Sequence, residues 1–481
     1  MKILVTGATG YIGGRLIPRL LKNSYFVRCF ARRPETISGK LWFQSSSEVE
    51  VVAGDIFDLA SLMRACEGID VAYYLVHSML AGEEGFEERD RQAAKNFAEA
   101  ARQAGIKKII YLGGLGEDQG ELSQHLKSRQ EVGDILRQSG IPVTEFRAAI
   151  IVGSGSISFE MIRYLTERLP VMICPKWVMS RCQPIAVRDV LNYLLLAVNE
   201  PRSDHKILEI GGRDVLTYRE MMLGYAKVRR LRRLLIRVPF LTPRLSSYWV
   251  DLITPIPASL ARPLIKGLKN DVVCQSDEAQ KIFPFQLLGY DEAVRLAFHR
   301  TQQGNLETIW SGSESTISQN VISPLIQIRE GMISEIRKIT IEAPAEKVFQ
   351  NICSIGGRRG WLYANWTWHF RGFLDRLIGG VGMRRGRRDE QALQVGDPVD
   401  FWRVEALIAN RLLRLRAEMK LPGKAWLQFE IANEPDGVTS TLTQTAFFEP
   451  KGLGGLLYWY LLYPIHQLIF SGLCRKIRET S

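Results

Sequence analysis

The chain has 481 residues, enough for two or three domains, and 46% of them are apolar, so cores of that size can be filled. Its formal net charge of +12 raises the question of a nucleic-acid or membrane partner. No zinc finger, aromatic RNA-binding motif or basic heptad accompanies the clustered arginines, so we expect solvated basic surfaces and no nucleic-acid partner.

The first predicted element is a short apolar strand that runs directly into glycines spaced GxxGxxG and then into an apolar helix. In a dinucleotide site the first glycine allows the tight turn, the second admits the pyrophosphate, and the third lets the helix pack against the sheet. The sequence therefore predicts a dinucleotide at this loop. The residues expected to bind it there are Gly7, Thr9, Gly10, Tyr11, Ile12 and Gly13.

The second predicted strand, Tyr25–Ala31, is followed by Arg32 and Arg33. Enzymes that prefer NAD usually place an acid here, whereas those that prefer NADP place arginine beside the extra phosphate. Two guanidinium groups can bind a phosphomonoester bidentately, so the pair favours NADP. Glu35 lies close by in the sequence and leaves NAD open.

Strand-like and helix-like segments then alternate to about residue 200, which predicts an α/β fold with a doubly wound parallel Rossmann sheet. The predicted strands are Val49–Ala53, Val71–Val76, Lys108–Leu112 and Val143–Val152, and the clearest helix is Phe86–Ala104.

Residues after the third and fourth strands complete the predicted cofactor site, because ligands bind at the carboxyl edge of such a sheet. Asp55 is positioned to accept a hydrogen bond from an adenine amino group, while Asp58 is equally suited to cap a helix. We expect Ile56, Leu75 and Val76 to contact the cofactor as well.

Beyond residue 200 the pattern becomes irregular and proline-rich, which predicts a substrate-side subdomain over about 200–305. A polar, serine-rich run follows and has the composition of a linker. We therefore predict one domain at 1–310, a linker at 311–330 and a second domain at 331–481.

The second domain opens with an alternating strand, Glu335–Ile341, and a helix that begins near Pro344. Antiparallel strands and a long apolar terminal helix follow, which predicts an α+β domain with a curved sheet wrapped around that helix. The four later strands are predicted at Val399–Ala406, Leu412–Met419, Ala425–Ala432 and Val438–Ala446.

The N-terminal three hundred residues resemble the atypical and extended short-chain dehydrogenase/reductases, especially the NmrA-like, nucleotide-sugar-epimerase-like branch. The motifs that carry the resemblance are the glycine loop, Gly54-Asp55, Tyr111-Leu112-Gly113-Gly114-Leu115-Gly116, and Arg147-Ala148-Ala149-Ile150-Ile151-Val152-Gly153 leading to Gln183-Pro184-Ile185-Ala186-Val187-Arg188-Asp189-Val190. The remainder resembles a START-like, polyketide-cyclase-like helix-grip domain. Together they are similar to a family of bacterial fusion proteins.

The resemblance implies a tyrosine and a lysine spaced YxxxK on one helix face, where the lysine lowers the pKa of the tyrosine and the phenol transfers a proton. Here His125 and Arg129 stand at those positions. Arginine can hold a ribose hydroxyl but stays charged, whereas histidine can transfer protons near neutral pH. Gly113 or Gly114 occupies the position of the family's serine.

His77, at the end of the fourth strand, is a further catalytic candidate by position, although it can equally cap a turn or pack against the nicotinamide. The catalytic candidates are thus His125, Arg129 and His77, with Arg129 also a candidate cofactor ligand. No HExxH motif or other metal-ligand set is recognisable.

Tryptophans are frequent in the second domain, where a helix-grip fold would place them around an apolar ligand or simply in the core. The residues concerned are Trp361, Trp366, Trp368, His369, Trp402 and Trp426. The uncharged run Gly452–Cys474 is long enough to span a bilayer, but its proline, glycines and polar residues favour a buried amphipathic helix and leave a peripheral membrane contact open.

Seven scattered cysteines without a CxxC pair are typical of reduced thiols, and the first residues show no apolar leader, so we expect a cytoplasmic protein, with membrane association through the apolar C-terminal segment left open. The first hypothesis for its function is an oxidoreductase that binds NADP, or NAD, and acts on or senses a hydrophobic carbonyl or quinone-like compound. A non-catalytic dinucleotide sensor or assembly factor is the alternative, and a nucleotide-sugar epimerase is the second.

Overall fold

Two sheets, one parallel and one antiparallel and each of seven strands, organise the described part of the chain. The computed structural model describes residues 1–38, 41–44, 46–76, 86–116, 124–238, 271–303, 325–385, 393–434 and 438–481. The chain divides into two compact units, Met1–Ser315 and Thr316–Ser481.

The first unit contains thirteen described strands. They are β1 Lys2–Thr6, β2 Phe26–Ala31, β3 Val49–Ala53, β4 Val71–Tyr74, β5 Lys108–Gly114, β6 Val143–Ala148, β7 Ile151–Val152, β8 Val171–Cys174, β9 Arg181–Cys182, β10 Ile185–Ala186, β11 Lys206–Ile210, β12 Leu216–Thr217 and β13 Leu234–Arg237. The parallel sheet has the order β11-β6-β5-β4-β1-β2-β3, and its order reverses at β1, where ligands of such sheets bind.

The helices of the first unit connect these strands and cover both faces of the parallel sheet. They are α1 Gly13–Lys22, α2 Glu35–Ser38, α3 Leu41–Gln44, α4 Leu59–Cys66, α5 Phe86–Gln103, α6 Gln124–Arg137, α7 Ile157–Arg168, α8 Val187–Leu196, α9 Tyr218–Arg229, α10 Glu278–Ile282 and α11 Tyr290–Gln303. Short 3-10 helices occur at Lys176–Met179, Ala197–Asn199 and Pro201–Ser203.

Side chains alternate along β1 between the two cores of the sheet. Ile3 and Val5 join one buried cluster with Leu16 of α1, while Leu4 joins the other with Phe97 of α5. The predicted doubly wound Rossmann sheet is therefore confirmed, since both faces of its strands are buried.

Two details of the predicted sheet are wrong. The segment predicted as one strand, Val143–Val152, is two strands, because β7 leaves the main sheet and pairs with β10. Lys206–Ile210, assigned to the irregular substrate-side subdomain, is instead the edge strand β11 and pairs with β6. Its mixture of polar and apolar residues suits an edge strand, and the surrounding proline-rich composition concealed it.

The second unit contains seven described strands, which form an entirely antiparallel sheet. They are β14 Leu325–Arg329, β15 Met332–Ile341, β16 Pro398–Val399, β17 Trp402–Ile408, β18 Leu412–Ala417, β19 Gly423–Asn433 and β20 Ser440–Pro450. Its order is β14-β15-β20-β19-β18-β17-β16. The helices are α12 Ala345–Cys353, α13 Asn365–Leu377 and α14 Gly452–Thr480, with a 3-10 helix at Gly382–Arg385.

Helix α14 packs against β15 and β20 and closes the core of the second unit. Pro344 precedes α12, as the sequence predicts. This confirms the predicted α+β arrangement of an antiparallel sheet with a long terminal helix. Among the described residues, no helix combines the length and apolar character needed to cross a bilayer.

The serine-rich part of the predicted linker lies outside the described residues. The last residues of the predicted linker are described, and among them Leu325–Arg329 form β14, which pairs with β15. The second sheet therefore begins inside the segment predicted as linker, because alternating residues of that segment can join the antiparallel ladder. The domain boundary itself stays a prediction.

Candidate functional site

The loop between β1 and α1 has the geometry of a phosphate-binding turn. Gly7 adopts a φ of +71°, and a Cβ added there would lie 2.6 Å from the carbonyl oxygen of Leu75. A Cβ on Gly13 would lie 2.3 Å from the carbonyl oxygen of Gly7. These two glycines are therefore required for the turn and for the close approach of α1 to the loop.

Gly10 has a different environment. Its amide donates to the carbonyl oxygen of Gly7 at 2.9 Å, and that same oxygen is the one atom near an added Cβ, at 3.0 Å. Thr9 and Gly10 are both exposed. The loop is thus open at Gly10, at the positive end of α1, where a pyrophosphate can approach the backbone.

Thr6 connects this loop to the end of β4. Its hydroxyl donates to the carbonyl oxygen of Tyr73 at 2.9 Å and accepts from the amide of Leu75 at 3.4 Å. Leu75 and Val76 are half-buried beside the glycine loop, which is where the sequence predicts them to contact the cofactor. The predicted catalytic residue His77 lies outside the described residues.

Tyr11 and Arg15 form a contact that the sequence did not reveal. The Arg15 guanidinium lies 4.2 Å from the centre of the Tyr11 ring and donates to the carbonyl oxygen of Ser154 at 2.9 Å. A Cβ on Gly153 would lie 2.4 Å from the Tyr11 hydroxyl oxygen. Gly153 ends one of the family-like motifs, and its role here is to admit the Tyr11 ring.

Arg32 and Arg33 follow β2 at the same edge of the sheet and are both exposed. Within the described part of the chain neither forms an ion pair, and the Arg33 carbonyl accepts from the amide of Thr36 at 3.2 Å. Glu35 begins the short helix α2 and is also exposed. The geometry therefore leaves both guanidinium groups available to a phosphate.

Asp55 and Asp58 have separate roles after β3. The Asp58 carboxylate accepts from the amide of Ala60 at 3.1 Å and caps α4, the alternative that the sequence left open. Asp55 accepts from the amide of Phe57 at 3.1 Å and remains half-buried at the sheet edge. Ile56 is buried in the core, so a contact with the cofactor there would involve its backbone.

Arg129 lies against the carboxyl end of β5. Its guanidinium donates to the carbonyl oxygen of Leu112, while its own carbonyl accepts from the Tyr111 hydroxyl at 2.8 Å. A Cβ on Gly114, one of the two candidates for the family's serine position, would lie 2.8 Å from Leu126 and 3.9 Å from Nε of Arg129. The Nε atom is shielded from solvent and makes no hydrogen bond to a described residue.

A hydrogen bond to α5 helps to hold α6 in this position. The Ser128 hydroxyl donates to the buried Asp90 carboxylate of α5 at 3.1 Å. His125 lies in the first turn of α6, and its side chain is outside the described part of the structure. Burial raises the pKa of Tyr111, so this tyrosine is a poor substitute for the missing tyrosine acid.

The tryptophans of the second unit largely fill space against one another. Trp361 and Trp368 stack at 4.3 Å between ring centroids, and the Trp361 indole donates to Asp400 at 2.8 Å. Trp366 and His369 are exposed and line no interior. The stacked pair therefore belongs to the core, one of the two alternatives that the sequence left open, and the apolar ligand stays a prediction.

No group of three or more His, Cys, Asp or Glu side chains in the described ranges could hold a metal ion. All seven cysteines fall within those ranges and are free thiols, six of them buried.

Comparison with known proteins agrees with this geometry. Residues 7–160 match the family described as NAD(P)H-binding, and residues 332–473 match a family described as a protein of unknown function, DUF2867. Ceramide reductase from Caulobacter vibrioides is 29% identical over 238 residues, which are 49% of this chain and 73% of that protein.

Two solved structures share the fold of part of the chain. Triphenylmethane reductase from Citrobacter sp., complexed with NADP(H), aligns with a TM-score of 0.50 at 20% identity, over 62% of this chain and 100% of that one. NADPH-dependent quinone oxidoreductase from Escherichia coli, complexed with NADPH, aligns with a TM-score of 0.50 at 21% identity, over 62% and 99%.

Residues 7–160 thus form an NAD(P)H-binding domain with the fold of short-chain dehydrogenase/reductases, and the chain has reductases among its relatives. The predicted dinucleotide cofactor is confirmed. The assignment of individual residues to the cofactor or to catalysis stays a prediction.

Proposed function

We propose that the first unit is an NADPH-dependent reductase of an apolar carbonyl or quinone-like compound. The observation that carries the proposal is the open loop at Gly10, which lies at the same sheet edge as the exposed Arg32 and Arg33. The similarity to a ceramide reductase supports a reductase that accepts an apolar substrate.

In this proposal the loop after β1 binds the pyrophosphate, and Arg32 and Arg33 bind the phosphate that distinguishes NADP from NAD. NADPH, when bound, supplies a hydride to the carbonyl carbon. Arg129 holds a ribose hydroxyl, and His125 donates the proton that the carbonyl oxygen gains. Hydride and proton together convert the carbonyl to an alcohol, or a quinone to a hydroquinone.

The test is stopped-flow absorbance of NADPH mixed with the protein and a panel of apolar quinones and carbonyl compounds. We expect His125→Ala to lower turnover about 10²- to 10⁴-fold with little change in NADPH affinity. Lys127→Ala, an exposed cation on the same helix, is the matched control and keeps full activity.

The rival function is a dinucleotide sensor, favoured by the replacement of both YxxxK residues. A sensor oxidises no bound NADPH above the rate in buffer with any compound of the panel, and His125→Ala then changes no measured property. That result would reject the reductase proposal.

For the second unit we propose a START-like domain that binds an apolar small molecule. An antiparallel sheet packed on a long terminal helix supports this proposal, since such folds can enclose a ligand between sheet and helix. Native mass spectrometry of gently purified protein tests it, and a mass of protein alone would count against it.

We further propose that this unit contacts the surface of a membrane through apolar residues of α13 and α14. Trp366 of α13 is 71% exposed and Leu461 of α14 is 75% exposed. Other large apolar side chains of the two helices are also exposed. They are Phe370, Phe373 and Leu377 on α13, and Leu457, Tyr460, Ile465 and Leu468 on α14. Exposed apolar side chains in such numbers are typical of interaction surfaces.

Co-sedimentation with phosphatidylcholine vesicles, with and without phosphatidylglycerol, tests the membrane proposal. We expect binding that increases with the anionic lipid, because Arg371 and Arg376 lie on α13, and that is lost in Phe370→Ser with Phe373→Ser. Leu196→Ser, an exposed apolar residue of the first unit, is the control. Equal sedimentation of all three proteins would contradict the proposal.

A further inference from the structure

A band of polar side chains lies between two apolar clusters in the second unit. Glu335 and Arg337 lie on one face of β15, and in the antiparallel register Arg337 is directly opposite Gln444 of β20. All three are buried, with exposed fractions of 0% for Glu335, 1% for Arg337 and 0% for Gln444. Helix α14 covers this face and adds His466 to the band.

Apolar residues lie on both sides of the band. Ile333 and Phe448 of the same sheet face pack with Trp459 of α14 at one end. Ile339 and Leu442 pack into the large core with Phe470 and Leu473 at the other end. The polar band is therefore bounded by aliphatic and aromatic side chains along the strand direction.

Some of the polar atoms in the band have partners within the unit. The Arg337 guanidinium donates to one carboxylate oxygen of Glu335, to the Ser471 hydroxyl at 3.0 Å and to the Gln467 carbonyl at 3.4 Å. The Cys474 thiol donates to the side-chain oxygen of Gln444 at 2.6 Å. These bonds orient the side chains between the sheet and α14.

Four other polar atoms of the band are shielded from solvent and make no hydrogen bond within the described structure. They are Oε2 of Glu335, Nη1 of Arg337, Nε2 of Gln444 and Nδ1 of His466. A buried polar atom without a hydrogen-bond partner destabilises the folded state, and more so when it is charged. The band thus contains two donors, one carboxylate acceptor and one imidazole nitrogen that lack hydrogen-bond partners. Buried polar groups are normally hydrogen-bonded, so these atoms indicate a site for a bound polar group.

A buried ion cluster in the first unit shows what a purely structural cluster looks like. Glu145 is equally buried, but one of its carboxylate oxygens accepts from Arg147 at 2.8 Å and the other accepts from Arg137. Both oxygens are thus occupied by the protein itself. In the second unit the Glu335 carboxylate keeps one oxygen open.

We propose that this band binds the polar head of an apolar ligand that carries a hydroxyl group next to a carbonyl group. The carbonyl oxygen accepts from Arg337 and Gln444, and the hydroxyl donates to Glu335. The body of the ligand lies against the apolar residues beside the band. This inference rests on the apolar-ligand function proposed for the second unit and adds the chemistry of the head group.

The test is isothermal titration of the full chain, without dinucleotide, with three probes of one shape. Hydroxymethyl naphthyl ketone carries both groups, methyl naphthyl ketone lacks the hydroxyl, and ethylnaphthalene lacks both. We expect the hydroxy ketone to bind about tenfold or more tightly than ethylnaphthalene, since hydrogen bonds to buried charged groups contribute that much affinity. Methyl naphthyl ketone should bind with intermediate affinity.

The preference should disappear in the paired variant Glu335→Leu with Arg337→Met, because both charges are gone. A buried ion pair replaced by apolar residues of similar volume usually leaves the fold intact. Gln444→Leu should reduce the preference about three- to tenfold while keeping the ion pair. Lys338→Met, on the same strand but on its opposite face, is the control and keeps the wild-type preference.

Equal affinity of the wild type for all three probes, no binding of any probe, or a preference that survives in the folded paired variant would each overturn the proposal. In those cases the open atoms are occupied by water. Because no dinucleotide is present, the result is independent of NADPH oxidation by the first unit. Failure of the reductase proposal and failure of this one are therefore distinguishable.

Discussion

Individual glycines in the loop after β1 serve different purposes, and the structure separates them. Gly7 and Gly13 have backbone oxygens at 2.6 Å and 2.3 Å from an added Cβ, so a side chain there collides with the fold. Gly10 has a single neighbour at 3.0 Å and otherwise faces open space. Gly10 is thus free for ligand approach, whereas the other two glycines are needed for packing.

We predict that Gly10→Val abolishes NADPH binding and leaves the melting temperature close to that of the wild type. The branched side chain occupies the space of the pyrophosphate but meets little protein. Gly13→Ala should instead lower the melting temperature, because its Cβ meets the Gly7 carbonyl. Calorimetric titration and thermal unfolding measure the two effects, and unchanged affinity in Gly10→Val would contradict the assignment.

Arg32 and Arg33 should determine whether the site binds NADPH or NADH more tightly. Replacing both with alanine is expected to weaken NADPH at least about tenfold and NADH much less, because only NADPH carries the phosphate that they bind. Arg64→Ala, which removes a basic residue of α4, is the control. An equal loss of affinity for NADPH and NADH would remove the preference for NADP.

Most helices and strands could be predicted from the sequence because the spacing of their apolar residues is clear. β3 was predicted at its observed bounds, and β18, β19 and β20 were predicted within a few residues of theirs. The single strand predicted at Val399–Ala406 is wrong, because a turn at Asp400 and Phe401 divides it between β16 and β17. The edge strand β11 was missed because five residues with polar positions carry a weak signal.

The candidate site was less accessible from sequence than the fold. The glycine loop follows from spacing alone, but the ring contact of Tyr11 with Arg15 joins the loop to Ser154, far along the chain. The polar band was missed for the same reason, since Glu335, Arg337 and Gln444 meet only through the register of β15 with β20. Such pairings depend on tertiary structure that a local pattern does not encode.

Helix α14 carries a pH-dependent element at His466. Burial, together with the Arg337 and Arg371 guanidinium groups, lowers the pKa of His466 to about 4. The unfolded chain binds a proton near the ordinary pKa of 6.5, so lowering the pH from there towards 4 favours unfolding. Burial raises the pKa of Glu335, so protonation of this carboxylate favours the folded state as the pH falls and opposes the effect of His466. Glu335 is unchanged in the variant described next.

We predict that, as the pH falls from about 6.5 to about 4, the free energy of unfolding decreases less in His466→Phe than in the wild type. The reason is that the variant has no imidazole to protonate at this position. Phenylalanine suits the site, since the His466 ring lies 5.4 Å from Trp459 and 5.5 Å from Phe470. His205→Phe, which removes an imidazole from the first unit, is the control. Urea unfolding at several pH values measures the difference, and parallel pH profiles of the wild type and His466→Phe would contradict the prediction.

At the scale of the whole molecule, the chain combines two compact units with different chemistry. The first contains an NAD(P)H-binding domain, and the second buries a band of polar side chains of which four atoms make no hydrogen bond within the described structure. The reductase proposed for the first unit needs both a hydride donor and an apolar carbonyl substrate. The hydroxy-carbonyl head proposed for the second unit is a product or substrate class of the chemistry proposed for the first.

The two units should therefore be separable, and we predict that limited proteolysis cuts first around residues 311–320, in the serine-rich run before β14. Exposed segments rich in serine and glycine are preferred cleavage sites. The N-terminal fragment should retain NADPH affinity, and the C-terminal fragment, which keeps Leu325–Arg329 and so its whole sheet, should retain the probe preference. Gel electrophoresis with mass spectrometry locates the cut, and titration of each fragment measures binding. First cleavage within residues 1–190 would show that the predicted domain boundary is wrong. Loss of NADPH affinity from an intact N-terminal fragment would show that the dinucleotide site depends on the second unit.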